Sequence, residues 1–299
     1  MKKVVTLGVE LDERAQARLA EKGASVEVKE SPSCLEDFLV KVEGADVIYS
    51  DGGFLLESLP SLRDVLVTYP YVELGDFDAE EAASRGVYVA NARGGNRNSI
   101  VEWVVFMTLA LMRNMMGKVR VRESIEFERT KSLEGKRVLI VGAGNIGTEI
   151  GKRLEAFGMD VGYYLRGEDL RVRAEGVDLV VNALNVNSSS RNLLSEEFFI
   201  GLGGAYFVSF ARRWTYDLGG LVRAIEAGEV AGAAIDCDPE ESGDVENEFY
   251  QTALACEKIL VTPHVAFATD VAKARSGEIV VENIVAYLDG EMINVVEKK

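Results

Sequence analysis

The chain has 299 residues, 47% of them hydrophobic, and a formal net charge of −16 at pH 7. That length fits one large domain or two ordinary ones, and the apolar content excludes a disordered chain. The acidic balance argues against nucleic acid or an anionic membrane surface as partner, and it obliges a small anionic ligand to find a locally positive pocket.

Short apolar runs alternate with helical patterns from the start. Val4–Val9 reads as a strand, and Leu11, Ala15 and Leu19 mark a helix ending near Gly23. A strand over Val26–Val28 and a helix over Leu35–Val42 follow, then strands over Asp46–Tyr49 and Val65–Thr68. Asp78 is placed to cap a helix over Ala79–Ser84, and Val87–Ala90 is the next strand. Strands separated by helices imply a parallel α/β sheet. After a polar loop over residues 91–98, Ser99 and Glu102 have the spacing of a capping box ahead of an apolar helix to about Met115. A first crossing between domains is expected here.

The most informative stretch lies between Val138 and Gly147. Val138 to Val141 reads as a buried strand, and Gly142, Gly144 and Gly147 fall on a G-x-G-x-x-G spacing. Ile146, Ile150, Leu154 and Phe157 then recur at helical steps, with a stop at Gly158. A strand, a glycine turn and a helix N-terminus make an anion site suited to a dinucleotide's pyrophosphate. Further strands are expected over Val161–Leu165, Val177–Leu184, Ala205–Phe210, Val230–Ile235 and Ile259–Thr262. Asp217 caps a helix over Leu218–Ala227, and an amphipathic helix over Asp270–Leu288 should cross back onto the N-terminal domain. Ten residues separate Arg166 from Val177, too few for a third strand with its helices, so this edge of the sheet should be cut short.

No apolar run approaches the ~20 residues of a membrane span. The N-terminus has too short an apolar run for a signal peptide. Cys34, Cys237 and Cys256 show neither C-x-x-C nor metal spacing, which suggests free thiols in a reducing compartment, a cytoplasmic location and no metal.

The chemistry gathers past strand ends, where open α/β sheets bind ligands. His264, the single histidine, follows the strand ending at Thr262; Arg212 follows the strand 205–210; Glu241 lies a few residues past Asp236. An acid–base group, a cation and a carboxylate are what hydride transfer to a 2-keto acid requires.

These residues, in this order, resemble the D-isomer-specific 2-hydroxyacid dehydrogenase family. The resemblance is carried by Gly94-Gly95-Asn96 leading into Ser99–Glu102, by Val141 to Gly147, and by Ala211-Arg212 with Asp217 beyond. It continues through Gly232 to Asp236, Glu241 and Thr262-Pro263-His264, with 29 residues from Arg212 to Glu241 and 23 more to His264. It implies two Rossmann-like or flavodoxin-like domains with doubly wound parallel sheets. A dinucleotide-binding domain, residues 98–267, is inserted in a split substrate-binding domain, residues 1–97 and 268–299, usually in a homodimer. It further implies that protonated His264 donates to the substrate carbonyl, Glu241 orients the ring and Arg212 binds the substrate carboxylate. Asp236 would hold the nicotinamide carboxamide, and Asn145 and Ile146 would offer backbone N–H groups to the pyrophosphate. The substrate loop falls on Tyr71-Val72-Glu73, where the family resembles Gly-Val-Gly, so Tyr71 and Val72 are candidate substrate-binding residues. Glyoxylate or hydroxypyruvate are the substrates that family habit suggests. The altered loop also leaves a second reading, a non-catalytic dinucleotide-binding regulator or assembly protein on the same scaffold.

An acidic residue usually ends the second strand of an NAD site and binds the ribose 2′-hydroxyl. Leu165 stands there, with Arg166 next and Arg171 and Arg173 nearby. A guanidinium clamps phosphate, so NADP is expected over NAD, with Arg166 on the 2′-phosphate.

Overall fold

The computed structural model describes residues 1–72, 74–75, 77–115, 129–238 and 246–296. The chain divides into two compact units, Met1–Asn96 with Asp270–Lys299, and Arg97–Thr269. Among the described residues each unit is built on one parallel sheet.

The first unit has strands β1 (Lys2–Leu7), β2 (Ala24–Lys29), β3 (Val47–Ser50), β4 (Val65–Thr68) and β5 (Val87–Ala90), in the order β2-β1-β3-β4-β5. β3 and β4 are buried on both faces, which is why they read as unbroken apolar runs rather than as alternation. One core, around Phe38, Leu55, Val67 and Val89, covers one face; another, around Leu19, Leu66, Val280 and Ile284, covers the other. Val280 and Ile284 come from the helix Asp270–Leu288, which packs on the same unit as the N-terminal strands. The segment after that helix bridges Ala90 in antiparallel sense through Val295, and so lies along the outer edge of β5.

Buried Asn283 ties the carboxyl ends of this unit together. Its Nδ2 donates to Thr68 Oγ1 (3.2 Å) and to the Asn91 carbonyl (3.1 Å), and its Oδ1 accepts from Asn294 Nδ2 (2.8 Å). Asn283→Leu keeps the volume and strands these partners in a dry interior. It should cost about 3 kcal/mol, read as a lower urea midpoint; a loss under about 1 kcal/mol would show the network to be dispensable.

The second unit has β6 (Arg137–Val141), β7 (Asp160–Tyr164), β8 (Leu179–Asn182), β9 (Ala205–Ser209), β10 (Val230–Asp236) and β11 (Ile259–Thr262), in the order β11-β10-β9-β8-β6-β7. The direction of winding reverses between β6 and β8, and the sheet ends at β7, as the short Arg166–Val177 connection requires. That connection holds a five-residue helix, Leu170–Ala174, capped by Asp169.

One local expectation fails. The apolar helix runs Arg97–Met112, so Ser99 sits inside its first turn and does not cap it. The Ser99 hydroxyl instead hydrogen-bonds Thr269 Oγ1 at 2.7 Å. The helix begins three residues earlier than the capping box implies, and the hydroxyl that would have capped it is used by a distant partner. Among the described residues no helix is long and apolar enough to cross a membrane.

Candidate active site

β6 delivers the chain into the glycine turn. Gly142 has φ +115°, and a Cβ there would meet the Ala183 carbonyl oxygen at 2.4 Å. A Cβ on Gly147 would meet the Gly142 carbonyl oxygen at 2.0 Å, so helix and strand close to a distance that only glycine allows. Gly144 is different: nothing lies within 4 Å of a Cβ built there. It precedes the helix Asn145–Ala156, which has no side-chain cap and whose first turn begins with the Thr148 amide donating to the Gly144 carbonyl. The amides of Asn145, Ile146 and Gly147 are therefore first-turn donors at the positive end of the helix. Arg97 stands beside them, its Nη1 on Asn145 Oδ1 at 3.1 Å. Its Nε is buried with no hydrogen-bond partner among the described residues.

Beyond β7, Leu165 is 56% exposed and its amide donates to Glu168 Oε2 at 2.7 Å. Arg171 pairs with Glu197, and Arg173 pairs with Glu168. Arg166 is exposed and has no ion pair among the described residues.

At the other side of the winding reversal, β9, β10 and β11 end side by side. Buried Asn182, at the end of β8, donates to Ser209 Oγ and Thr215 Oγ1 (3.2 and 2.9 Å). The Thr215 hydroxyl in turn donates to the Arg212 carbonyl at 2.8 Å, which fixes the turn carrying Arg212. The Arg212 guanidinium pairs with Asp238 through Nη1 and Oδ1. Asp236, at the end of β10, accepts from Thr262 Oγ1 and from the amides of Val265 (2.9 Å) and Ala266 (2.8 Å). Those bonds fold the loop after β11 around His264, which is held at φ +54°.

His264 is half-buried, and its ring packs on Phe267 with centroids 5.2 Å apart. Burial pushes its pKa below the ordinary histidine value. Asp236 and Asp238 and a hydrogen bond to the Cys237 backbone act the other way, and the Arg212 charge acts with burial. Arg212, Asp236 and His264 thus come together in the second unit. Glu241, the third member of the expected triad, and Glu73 lie outside the described residues. Tyr71 and Val72 belong to the first unit. The Tyr71 carbonyl accepts from the Ala92 amide (2.9 Å), and the Val72 carbonyl from Tyr69 Oη (3.1 Å) and Asn91 Nδ2 (2.9 Å).

The family model "D-isomer specific 2-hydroxyacid dehydrogenase, NAD binding domain" matches residues 105–266. The chain belongs to this dehydrogenase family. It is similar to the glyoxylate reductase of Thermofilum pendens, 26% identical over 89% of this chain and 85% of that one. It is also similar to the glyoxylate reductase of Thermococcus litoralis, 28% identical over 80% of this chain and 77% of that one. Among solved structures, the TT0316 protein from Thermus thermophilus superposes with a TM-score of 0.80 at 25% identity, over 98% of this chain and 100% of that one. The dehydrogenase is an NAD(P)-dependent oxidoreductase for a 2-keto/2-hydroxy acid pair, and the regulator reading is not favoured.

The residues of this dehydrogenase fit a nicotinamide dinucleotide. Open space over Gly144, an uncapped helix N-terminus and the orphaned Nε of Arg97 together ask for an anion. Two residues of the site escape sequence reading. Arg97 reads as one polar residue of a loop, and Asp238 as one acid among several before the helix 248–255. Their partners lie 48 and 26 residues away, and no local pattern signals them.

Proposed function

We propose that the dehydrogenase reduces a small 2-keto acid of the glyoxylate or hydroxypyruvate type to the D-2-hydroxy acid, with NADP(H) preferred over NAD(H). The observation that carries this reading is the gathering of Arg212 and His264 at the ends of β9 and β11, on either side of β10, in the sheet whose β6 enters the glycine turn. A bound nicotinamide dinucleotide supplies the hydride. His264 gives its proton to the carbonyl oxygen, and Glu241 orients the ring and favours the imidazolium. Arg212 receives the substrate carboxylate and polarises the carbonyl, and Tyr71 and Val72 line the substrate. The amides after Gly144 take the pyrophosphate, with Gly142 and Gly147 shaping the turn. Asp236 uses its remaining acceptor capacity for the nicotinamide carboxamide.

The similarity to the Thermofilum and Thermococcus glyoxylate reductases supports glyoxylate as the first substrate to try. Arg166 supports NADP: of the three arginines near the end of β7, Arg171 and Arg173 are engaged by Glu197 and Glu168. A homodimer in the cytoplasm completes the proposal. Phe106, 65% exposed on the apolar helix 97–112, suits a covered face, and three free cysteines suit a reducing compartment.

The test combines two measurements. Loss of reduced-cofactor absorbance with glyoxylate, hydroxypyruvate and larger 2-keto acids should show turnover of the small ones. Fluorescence titration at one salt concentration should give tighter NADPH than NADH, and Arg166→Ala should erase the difference. Equal affinities in the wild type would refute the cofactor assignment. Binding without turnover of any acid would refute the substrate assignment.

A further inference from the structure

β10 runs between β9 and β11, and at its exit it carries two carboxylates, Asp236 and Asp238, on either side of buried Cys237. Asp236 is 5% exposed and Asp238 3%. Two acids in so dry a place are unfavourable unless each is paired and hydrogen-bonded. Each is, and each by a different neighbour. Every described partner of Asp236 comes from the exit of β11: Thr262, Val265 and Ala266. Asp238 is bonded from the exit of β9. Its Oδ1 accepts from the Arg212 guanidinium, and its Oδ2 from the Arg213 amide at 3.2 Å. The central strand therefore holds both chemical loops, one carboxylate to each.

We propose that Asp238 is a positioning residue for Arg212: it grips the guanidinium and the next backbone amide together, and so fixes the orientation in which Arg212 meets the substrate carboxylate. This rests on the reading of Arg212 given under Proposed function. A carboxylate bonded to both the side chain and the following amide removes the freedom of a long side chain to swing, freedom that otherwise has to be surrendered when substrate binds. The pair has a second consequence for His264. Among the described residues, the charged groups that act on its ring are Asp236, Arg212 and Asp238, together with the Cys237 carbonyl. Arg212 opposes the imidazolium, and Asp238 offsets Arg212. A cation placed for the substrate would otherwise drive the proton off the acid that has to deliver it.

The experiment uses the 299-residue chain and an advantage of its composition: with one histidine in it, the imidazole proton resonances belong to His264 alone. Asp238→Asn keeps size and hydrogen-bonding capacity while removing the charge. Relative to wild type, it should move the His264 NMR titration midpoint down and weaken oxamate, a 2-keto acid analogue, by about tenfold in calorimetry. Arg212→Gln should move the midpoint up and abolish oxamate binding, and the double variant should lie between the two single variants in midpoint. An Asp238→Asn protein that melts like wild type with unchanged midpoint and oxamate affinity would overturn the proposal. If Asp238→Asn does not fold, Asp238→Glu decides, since it keeps the charge but moves the carboxylate: weakened oxamate supports the grip on Arg212, and unchanged affinity overturns it. Oxamate binding that survives Arg212→Gln would instead refute Arg212 as the carboxylate receiver. That failure is distinct from one in which Arg212→Gln loses oxamate and Asp238→Asn does not.

Discussion

Replacing His264 with alanine is expected to lower keto-acid turnover by about 10²–10⁴-fold, the range of a lost general acid. Cofactor affinity should hardly change, because the glycine turn is built without this residue. His264 sits at φ +54°, a region most side chains avoid, and the Asp236 bonds to the two following amides hold it there. His264→Asn is the informative companion, since asparagine tolerates that backbone and loses only the imidazole. Both should be comparably inactive; an asparagine variant with wild-type turnover would remove His264 from the chemistry.

The pH dependence follows from the same group. With His264 as the proton donor proposed above, reduction needs the protonated ring, and burial lowers the ring's pKa. In the wild type, kcat/KM for reduction should therefore fall as pH rises through a midpoint below the ordinary histidine value. Oxidation of the hydroxy acid, which needs the neutral ring, should rise through the same midpoint. In both His264 variants this limb should vanish.

The second large effect belongs to the glycine turn, and it differs between two neighbouring glycines. Gly147→Ala places a Cβ 2.0 Å from the Gly142 carbonyl oxygen and 3.3 Å from Ile140 Cγ2. The first obstacle is backbone, so relief means prying the helix 145–156 off β6. About 3 kcal/mol of stability should be lost, as for a severe overpacking, and dinucleotide binding with it. Gly144→Ala meets nothing within 4 Å. It should melt like wild type and still bind NADPH and NADH at least tenfold more weakly, because the methyl group enters the approach to the pyrophosphate. Unchanged affinity in Gly144→Ala would mean that the dinucleotide does not lie over this turn.

Elements that announce themselves locally could be read from the sequence. Asp78 before Ala79–Ser84, the apolar run Val65–Thr68 and the helix Asp270–Leu288 are found with those bounds, because cap, run length and period are properties of adjacent residues. The missing strand after β7 was legible by arithmetic, from the length of one connection. The helix over Glu248–Ala255 was not: eight residues with Ala253 alone buried leave no period to detect. Ser99 misled because its spacing to Glu102 is right while its hydroxyl belongs to Thr269, 170 positions away. In the site, the rule that chemistry sits past strand ends singled out Arg212 and His264, and the structure places them beyond β9 and β11. It could not find Asp238, whose significance lies in which arginine reaches it.

The early end of the second sheet has a bearing on how the protein behaves at high concentration. Among the described residues β7 pairs with β6 alone, so its far side offers main-chain groups to any extended segment that comes near, the usual seed of self-association. The residues around this edge guard against this. Arg173, from the short helix of the truncated connection, turns back and donates to the Tyr163 carbonyl at 2.7 Å, and Asp160 keeps an exposed charge at the start of the same edge. An incoming strand would have to displace a guanidinium and approach a carboxylate before making its first ladder bond. Shortening the chain here has therefore not left a seam open to aggregation, and the stopper came from the shortened connection itself.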